Sequence, residues 1–230
     1  MNRREVIASF AAASVLPGIA AAQTPAPAAG QRQMKPLPFD PAKLKGLSEK
    51  LLRSHYDNNY AGAFRRLGQI ETMLSNLPKD APGFQLKGLK MEELIATNSV
   101  ILHEQYFGNL GGTGKASGTL QQALAKQYGA FDKWEQEFRA TSNALGGGSG
   151  WAILSLNFRD GELRNYIAFD HTDNVAFGRP ILVNDMFEHA YHIDYGAAAA
   201  RYVDAFMDNV NWDECNRRYE EARKIFGMVK

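Results

Sequence analysis

Cysteine is nearly absent. Cys215 is the single thiol in 230 residues, so no disulfide can close within the chain and no zinc site can be built from thiolates. An excess of either charge is also missing. Lysines and arginines number 26 against 25 aspartates and glutamates, for a formal net charge of +1. Such a balance carries no electrostatic signature of nucleic-acid or anionic-membrane binding. Beyond residue 22 no apolar run is long enough to span a bilayer, and no internal repeat is present. The glycine-rich run from Gly108 to Gly118 lacks the Lys-Ser/Thr pair and the strand–turn–helix setting of a phosphate-binding loop, so it reads as a connection between two halves. Histidine is scarce too: any imidazole-based metal site must draw on His55, His103, His171, His189 and His192.

The N-terminus has the pattern of a signal peptide. Arg3-Arg4 is a twin arginine, an Ala-rich apolar run follows, and Ala20-Ala21-Ala22 offers small residues for cleavage before Gln23. Pro17-Gly18 interrupts the apolar run, which favours cleavage over a membrane anchor. Residues 1–22 are therefore expected to be a Tat-like signal, and the mature protein to be periplasmic or secreted, with no membrane segment. Residues 23–38, rich in Ala, Pro and Gln, are expected to be a flexible tether.

From Ser48 the pattern is helical. Leu51, Leu52, His55, Tyr56, Asn59, Phe64 and Leu67 recur at spacings of three and four, so His55 shares the inward face of the leucines. The stretch from Pro78 to Gly88 reads as a break. A second helix is expected from near Lys90, carrying Leu94, Ile95, Asn98, Ile101, Leu102 and His103. Two helices joined this way form an antiparallel hairpin across which His55 and His103 can approach. Residues 39–110 are assigned to this hairpin domain and 119–230 to a second domain. There, Leu120 to Leu145 is helical with a break at Tyr128-Gly129. Trp151 to Phe158 and Leu163 to Phe169 read as strands around an Asp160-Gly161 turn, and Ile181–Val183 as a short third strand. A three-stranded antiparallel sheet beside helices gives an α+β class.

The stretch that organises the rest is Asp185-Met186-Phe187-Glu188-His189-Ala190-Tyr191. A carboxylate and an imidazole four residues apart share one face of a helix, and together they make the start of an N/O site suited to Fe or Mn. Taken alone, such a pair is more often a helix ion pair. The further ligands to look for are His55 and His103.

This stretch resembles the C-terminal signature of the iron/manganese superoxide dismutases, Asp-x-Trp-Glu-His-Ala-Tyr followed by Asp-Tyr, with Phe187 in place of the tryptophan. The resemblance extends through GTLQQALAKQYGAFDKWEQEFRATSNALGGGSGWAIL and, more loosely, to His55-Tyr56-Asp57-Asn58-Asn59-Tyr60 and Leu102-His103-Glu104-Gln105-Tyr106-Phe107. It implies one Fe or Mn ion per subunit held by His55, His103, Asp185 and His189, and disproportionation of superoxide to dioxygen and hydrogen peroxide. It implies that His171 occupies the place from which manganese-type members hydrogen-bond the metal-bound solvent; the iron-type counterpart position is Ser99. Trp151, Phe107 and Phe187 are implied to form an apolar shell, with Trp151, His171 and Tyr191 serving the reaction. Glu188 and Tyr191 are implied to meet a second copy in a homodimer.

Two residues depart from the family pattern. Asn59 stands where the family has a funnel histidine, and Ala63 where it has a funnel tyrosine, a pair that passes protons. These departures leave open a second reading, a non-catalytic metal-binding protein on the same scaffold. A metal-free structural domain ranks last, because it would bury four unpaired polar side chains together.

Overall fold

A computed structural model describes residues 33–173 and 176–229. The expected signal peptide and the first part of the tether lie outside the described residues. The described part of the tether is held in place. The Lys35 N–H donates to the Tyr60 hydroxyl at 2.9 Å, the Lys35 carbonyl accepts from the Tyr56 hydroxyl at 2.8 Å, and Met34 and Leu37 pack against the core.

The first helix, α1 (Glu49–Ser54), starts where the sequence places it. Ser48 Oγ accepts from the Leu51 N–H at 3.1 Å, satisfying one of the unpaired amides of the first turn. The helix then widens into a π-helical turn, His55–Tyr60, and resumes as α2 (Ala61–Ser75). The return helix α3 (Gly83–Gly108) begins at Gly83 rather than near Lys90. Pro82, which cannot donate a backbone hydrogen bond, marks the boundary. Gly88 is tolerated inside the helix at a modest propensity cost.

Helices α4 (Gly118–Tyr128) and α5 (Phe131–Asn143) are separated at Gly129, whose φ of 83° is left-handed and natural for glycine. Strands β1 (Trp151–Asn157), β2 (Leu163–Ala168) and β3 (Gly178–Asp185) form an antiparallel sheet in the order β2-β1-β3. Central β1 is buried from Trp151 to Leu156, which explains its unbroken apolar run. Strand β3 is longer than Ile181–Val183. It extends back through Pro180 because β3 is an edge strand, where a missing amide donor costs no ladder bond on the open side.

The chain closes with α6 (His192–Tyr195), α7 (Ala199–Asp208) and α8 (Trp212–Val229). Buried residues from the hairpin, the sheet and these last helices form one apolar cluster, and a bridge between Leu110 and Val210 ties the glycine-rich connection to the C-terminal part. The class is α+β, as expected. No helix among the described residues is long and apolar enough to cross a membrane.

Candidate metal centre

Asp185 is the last residue of β3, paired in register with Trp151 at the start of β1. The chain then turns a corner. The Phe187 N–H donates to Asp185 Oδ1 at 2.9 Å, fixing one carboxylate oxygen and leaving Oδ2 to face the interior. A short 3-10 turn, Glu188–Ala190, carries His189. The four-residue spacing of Asp185 and His189 therefore works across a strand-to-turn corner and not along one helix face. His55 opens the π-helical turn, and His103 lies on α3.

These four side chains converge. Asp185 Oδ2 lies 3.0 Å from His55 Nε2, 3.2 Å from His189 Nε2 and 3.7 Å from His103 Nε2. One ligand atom from each residue lies within 4.8 Å of all the others. His55, His103 and Asp185 are buried, whereas the His189 side chain is 26% exposed, so the cluster opens to solvent on the His189 side.

The donor set fits a metal ion. The Nε2 atoms of His55 and His103 are buried with no hydrogen-bond partner among the described residues; the His55 approach to Asp185 is close but lacks hydrogen-bond alignment. Leaving such atoms unpaired is costly, and an ion at their common point satisfies them together. His103 Nδ1 lies 2.7 Å from the Ser99 carbonyl. A carbonyl only accepts, so the proton sits on Nδ1 and the Nε2 lone pair faces the cluster.

The charges agree. Burial pushes His55 down, and burial together with the neighbouring His55 pushes His103 down to about 3. Both rings are therefore neutral, as ligation requires. Burial works to raise Asp185, but His189 and His55 outweigh it and hold the carboxyl far below the usual range. Three imidazoles and one carboxylate suit Fe or Mn.

Residues 116–218 match the family model for the C-terminal domain of iron/manganese superoxide dismutases. A superoxide dismutase [Fe] of Cupriavidus metallidurans is 53% identical over 191 residues, covering 83% of this chain and 97% of that protein. A superoxide dismutase [Fe] of Aquifex pyrophilus is 33% identical over 199 residues, covering 83% of this chain and 92% of that protein. A superoxide dismutase [Mn] of Haloferax volcanii is 31% identical over 199 residues, covering 84% and 98%. The chain belongs to the iron/manganese superoxide dismutase family.

In this family member the expected aromatic shell is assembled around the ligands. Phe107 lies 4.9 Å from the His55 ring, Trp151 5.2 Å from the His103 ring, and Phe187 5.6 Å from the His189 ring. Phe187, in the place of the family's tryptophan, stacks on His171 at 4.9 Å as well. The Trp151 indole N–H donates to His171 Nδ1 at 3.1 Å, and the Asn98 amide donates to the His171 carbonyl at 2.5 Å. Asn59 and Ala63 are each half-buried.

Glu188 and Tyr191, both expected to meet a second copy, differ within the single chain. Glu188 is exposed, because the short turn that carries it aims His189 inward and leaves the preceding side chain outside. Tyr191, expected to reach a partner, is 1% exposed. Its ring stacks on Tyr202 at 5.4 Å and its hydroxyl lies 3.4 Å from the Gly147 N–H.

Several residues around the centre were not singled out from the sequence. The Tyr106 ring packs 5.0 Å from that of His55, and the Tyr202 hydroxyl donates to the Asp185 carbonyl at 2.8 Å. Tyr60 is buried and stacks on His103 at 6.2 Å. Regular helical spacing separates Tyr60 from the face of His55. The π-helical turn, with its i→i+5 bonding, brings the two onto one side. Asn98, five residues before His103, was visible on the helical stripe of α3, and Ser99, four residues before it, was named through the family resemblance.

Proposed function

We propose that the protein is a superoxide dismutase. The observation that carries this reading is the convergence of His55, His103, Asp185 and His189, whose ligand atoms lie within 4.8 Å of one another. A redox-active Fe or Mn ion held by these residues supplies one-electron transfer, so that one superoxide leaves as dioxygen and a second, with an electron and two protons, leaves as hydrogen peroxide.

The protein's own contribution is placement and proton control. Asp185 supplies the single negative charge of the donor set, and the aromatic shell excludes water and lowers the local dielectric. An indole N–H can only donate, so His171 Nδ1 accepts. Burial pushes the His171 pKa down, so the ring is neutral and its one proton sits on Nε2. His171 thus serves as a hydrogen-bond donor from the edge that faces away from Trp151. Trp151 fixes that tautomer, and Tyr191 buttresses the turn that carries His189 from behind.

The substrate is proposed to enter on the half-exposed His189 side. We propose a homodimer built on the face that carries Glu188, since an exposed carboxylate beside a ligand histidine is placed to meet a second copy there. Export by the twin-arginine segment to the periplasm or beyond is proposed on Arg3-Arg4 and the alanine run that follows.

The experiment is metal analysis of the purified mature protein together with an assay of superoxide removal. Bound Fe or Mn with superoxide removal supports the dismutase. The second reading, a metal-binding protein without catalysis, is favoured by Asn59 and Ala63, and bound metal without superoxide removal would select it. Sedimentation tests the dimer, and fractionation of cells tests the export.

A further inference from the structure

The lead-in to the first ligand helix is gripped by the segment that follows the last ligand. Asp194 stands five residues after His189, on α6. Its carboxylate accepts twice from Ser48, from the N–H at 2.7 Å and from the Oγ–H at 2.6 Å. The same Ser48 Oγ caps α1 by accepting from Leu51. The adjacent residue, Tyr195, donates its hydroxyl to the Gly46 carbonyl.

The fit at Gly46 is close. It adopts φ 72°, and a Cβ there would lie 2.9 Å from the Tyr195 hydroxyl and 3.0 Å from Ala205 Cβ. Asn209 completes the grip, accepting from the Lys45 N–H at 2.9 Å and donating to the Lys45 carbonyl at 2.7 Å. The entry to α1 thus takes its position from side chains of the C-terminal half.

We propose that Asp194 and Tyr195 are positioning residues of the metal centre, setting where the helix that carries His55 sits relative to the turn that carries His189. His55 lies seven residues beyond Ser48, about 10 Å along a helix axis, and α1 is a rigid lever over that length. The charged acceptor at the helix N-terminus is the strongest class of contact available there. A shift of α1 at its entry moves His55 Nε2 against Asp185 Oδ2, a separation of 3.0 Å that leaves little slack for a common ion.

The proposal rests on the metal reading of the four-residue cluster, and the parent protein tests that reading on its own: a parent that holds neither iron nor manganese overturns both. With an iron-loaded parent in hand, Asp194→Ala, Asp194→Asn and Tyr195→Phe are compared with Leu124→Ala, a cavity variant in the core of α4. Three properties are measured: the thermal midpoint, the rate of iron loss to a chelator under native conditions, and the electron paramagnetic resonance spectrum of the ferric protein.

Asp194→Ala is expected to lose iron about 10- to 100-fold faster than the parent, the range typical of groups that orient metal ligands, and to show an altered spectrum. Asp194→Asn keeps an acceptor for the Ser48 N–H and is expected to restore most of the retention and the parent spectrum. Leu124→Ala is expected to lower the midpoint while keeping parent release and spectrum. Release and spectra in Asp194→Ala no different from those of Leu124→Ala would overturn the proposal. Should Asp194→Ala not fold, Tyr195→Phe, which deletes one hydroxyl, is judged by the same two readouts.

Discussion

Trp151 donates its indole N–H to Nδ1 of His171 at 3.1 Å, and the two residues reach that contact at the same end of an antiparallel strand pair. Trp151 begins β1 and pairs with Ala168 of β2, and His171 follows just beyond the end of β2. The sheet therefore fixes a histidine tautomer beside the ligand cluster. Trp151→Phe keeps an aromatic ring and removes the donor. It is expected to retain metal and lose about tenfold in turnover. Steady-state superoxide removal, normalised to bound metal, checks this, and an unchanged rate would remove Trp151 from the proton-control role.

His189→Ala removes a ligand from the side of the cluster that is open to solvent. It is expected to weaken metal retention by more than ~100-fold, beyond what loss of an outlying partner does. Metal content after gel filtration is the measurement, and a normal content would exclude His189 as a ligand.

Ala63 marks where the family places a tyrosine. A positioned proton donor contributes about 10²- to 10⁴-fold, and a half-buried position recovers only part of that. Ala63→Tyr is expected to raise turnover about tenfold. A rate equal to the parent's would mean that proton delivery is not the slow step.

Glu214 predicts an acid limb of stability. Burial tends to raise its carboxyl, but Arg217 and Arg218, with contacts at 2.7 Å, outweigh burial and hold it below its ordinary value of 4.5. The folded chain then binds this proton less readily than the unfolded chain does. The stabilisation is complete above about pH 4.5 and is lost as pH falls through the lower folded value. Glu214→Gln is expected to be less stable than the parent at neutral pH and to converge with it in acid. Denaturant titrations across that range are the check, and a gap that does not narrow would exclude the linkage.

Cys215 is fully buried and its thiol is pushed up to about 12 by burial. Since the thiolate is the reactive form, a thiol reagent is expected to modify the chain only after unfolding. Prompt modification of the native protein would show that α8 opens.

What the sequence made legible follows from how each signal is written. The ligand set was readable through the family resemblance, which the continuous motif from Asp185 to His189 carries most strongly; the helical pattern around His55 and His103 made them candidates but could not by itself tell a ligand from a core histidine. The strands around Asp160-Gly161 were readable from the turn and the apolar run. The true extent of β3 was hidden by Pro180, which looks like a boundary until the strand is known to be at an edge. The placement of Tyr60 was hidden by a local change of helical period with no residue signature of its own. Tyr202 and Asp194 act across long sequence separations, and a pattern of neighbours cannot show such contacts. Glu188 and Tyr191 were read through an assembly of two copies, and the chain by itself exposes the one and encloses the other.

The widened turn at His55–Tyr60 also bears on deletions in the gene. It accommodates roughly one residue more than regular winding, so losing a single codon between positions 56 and 60 would let the stretch revert to ordinary α-helix with its flanks in nearly the same phase. His55 would stay with its three companions, and Leu67 and Ile70 would stay in the hairpin core. The widening is thus a reserve of one residue that the hairpin can give up without turning either flank.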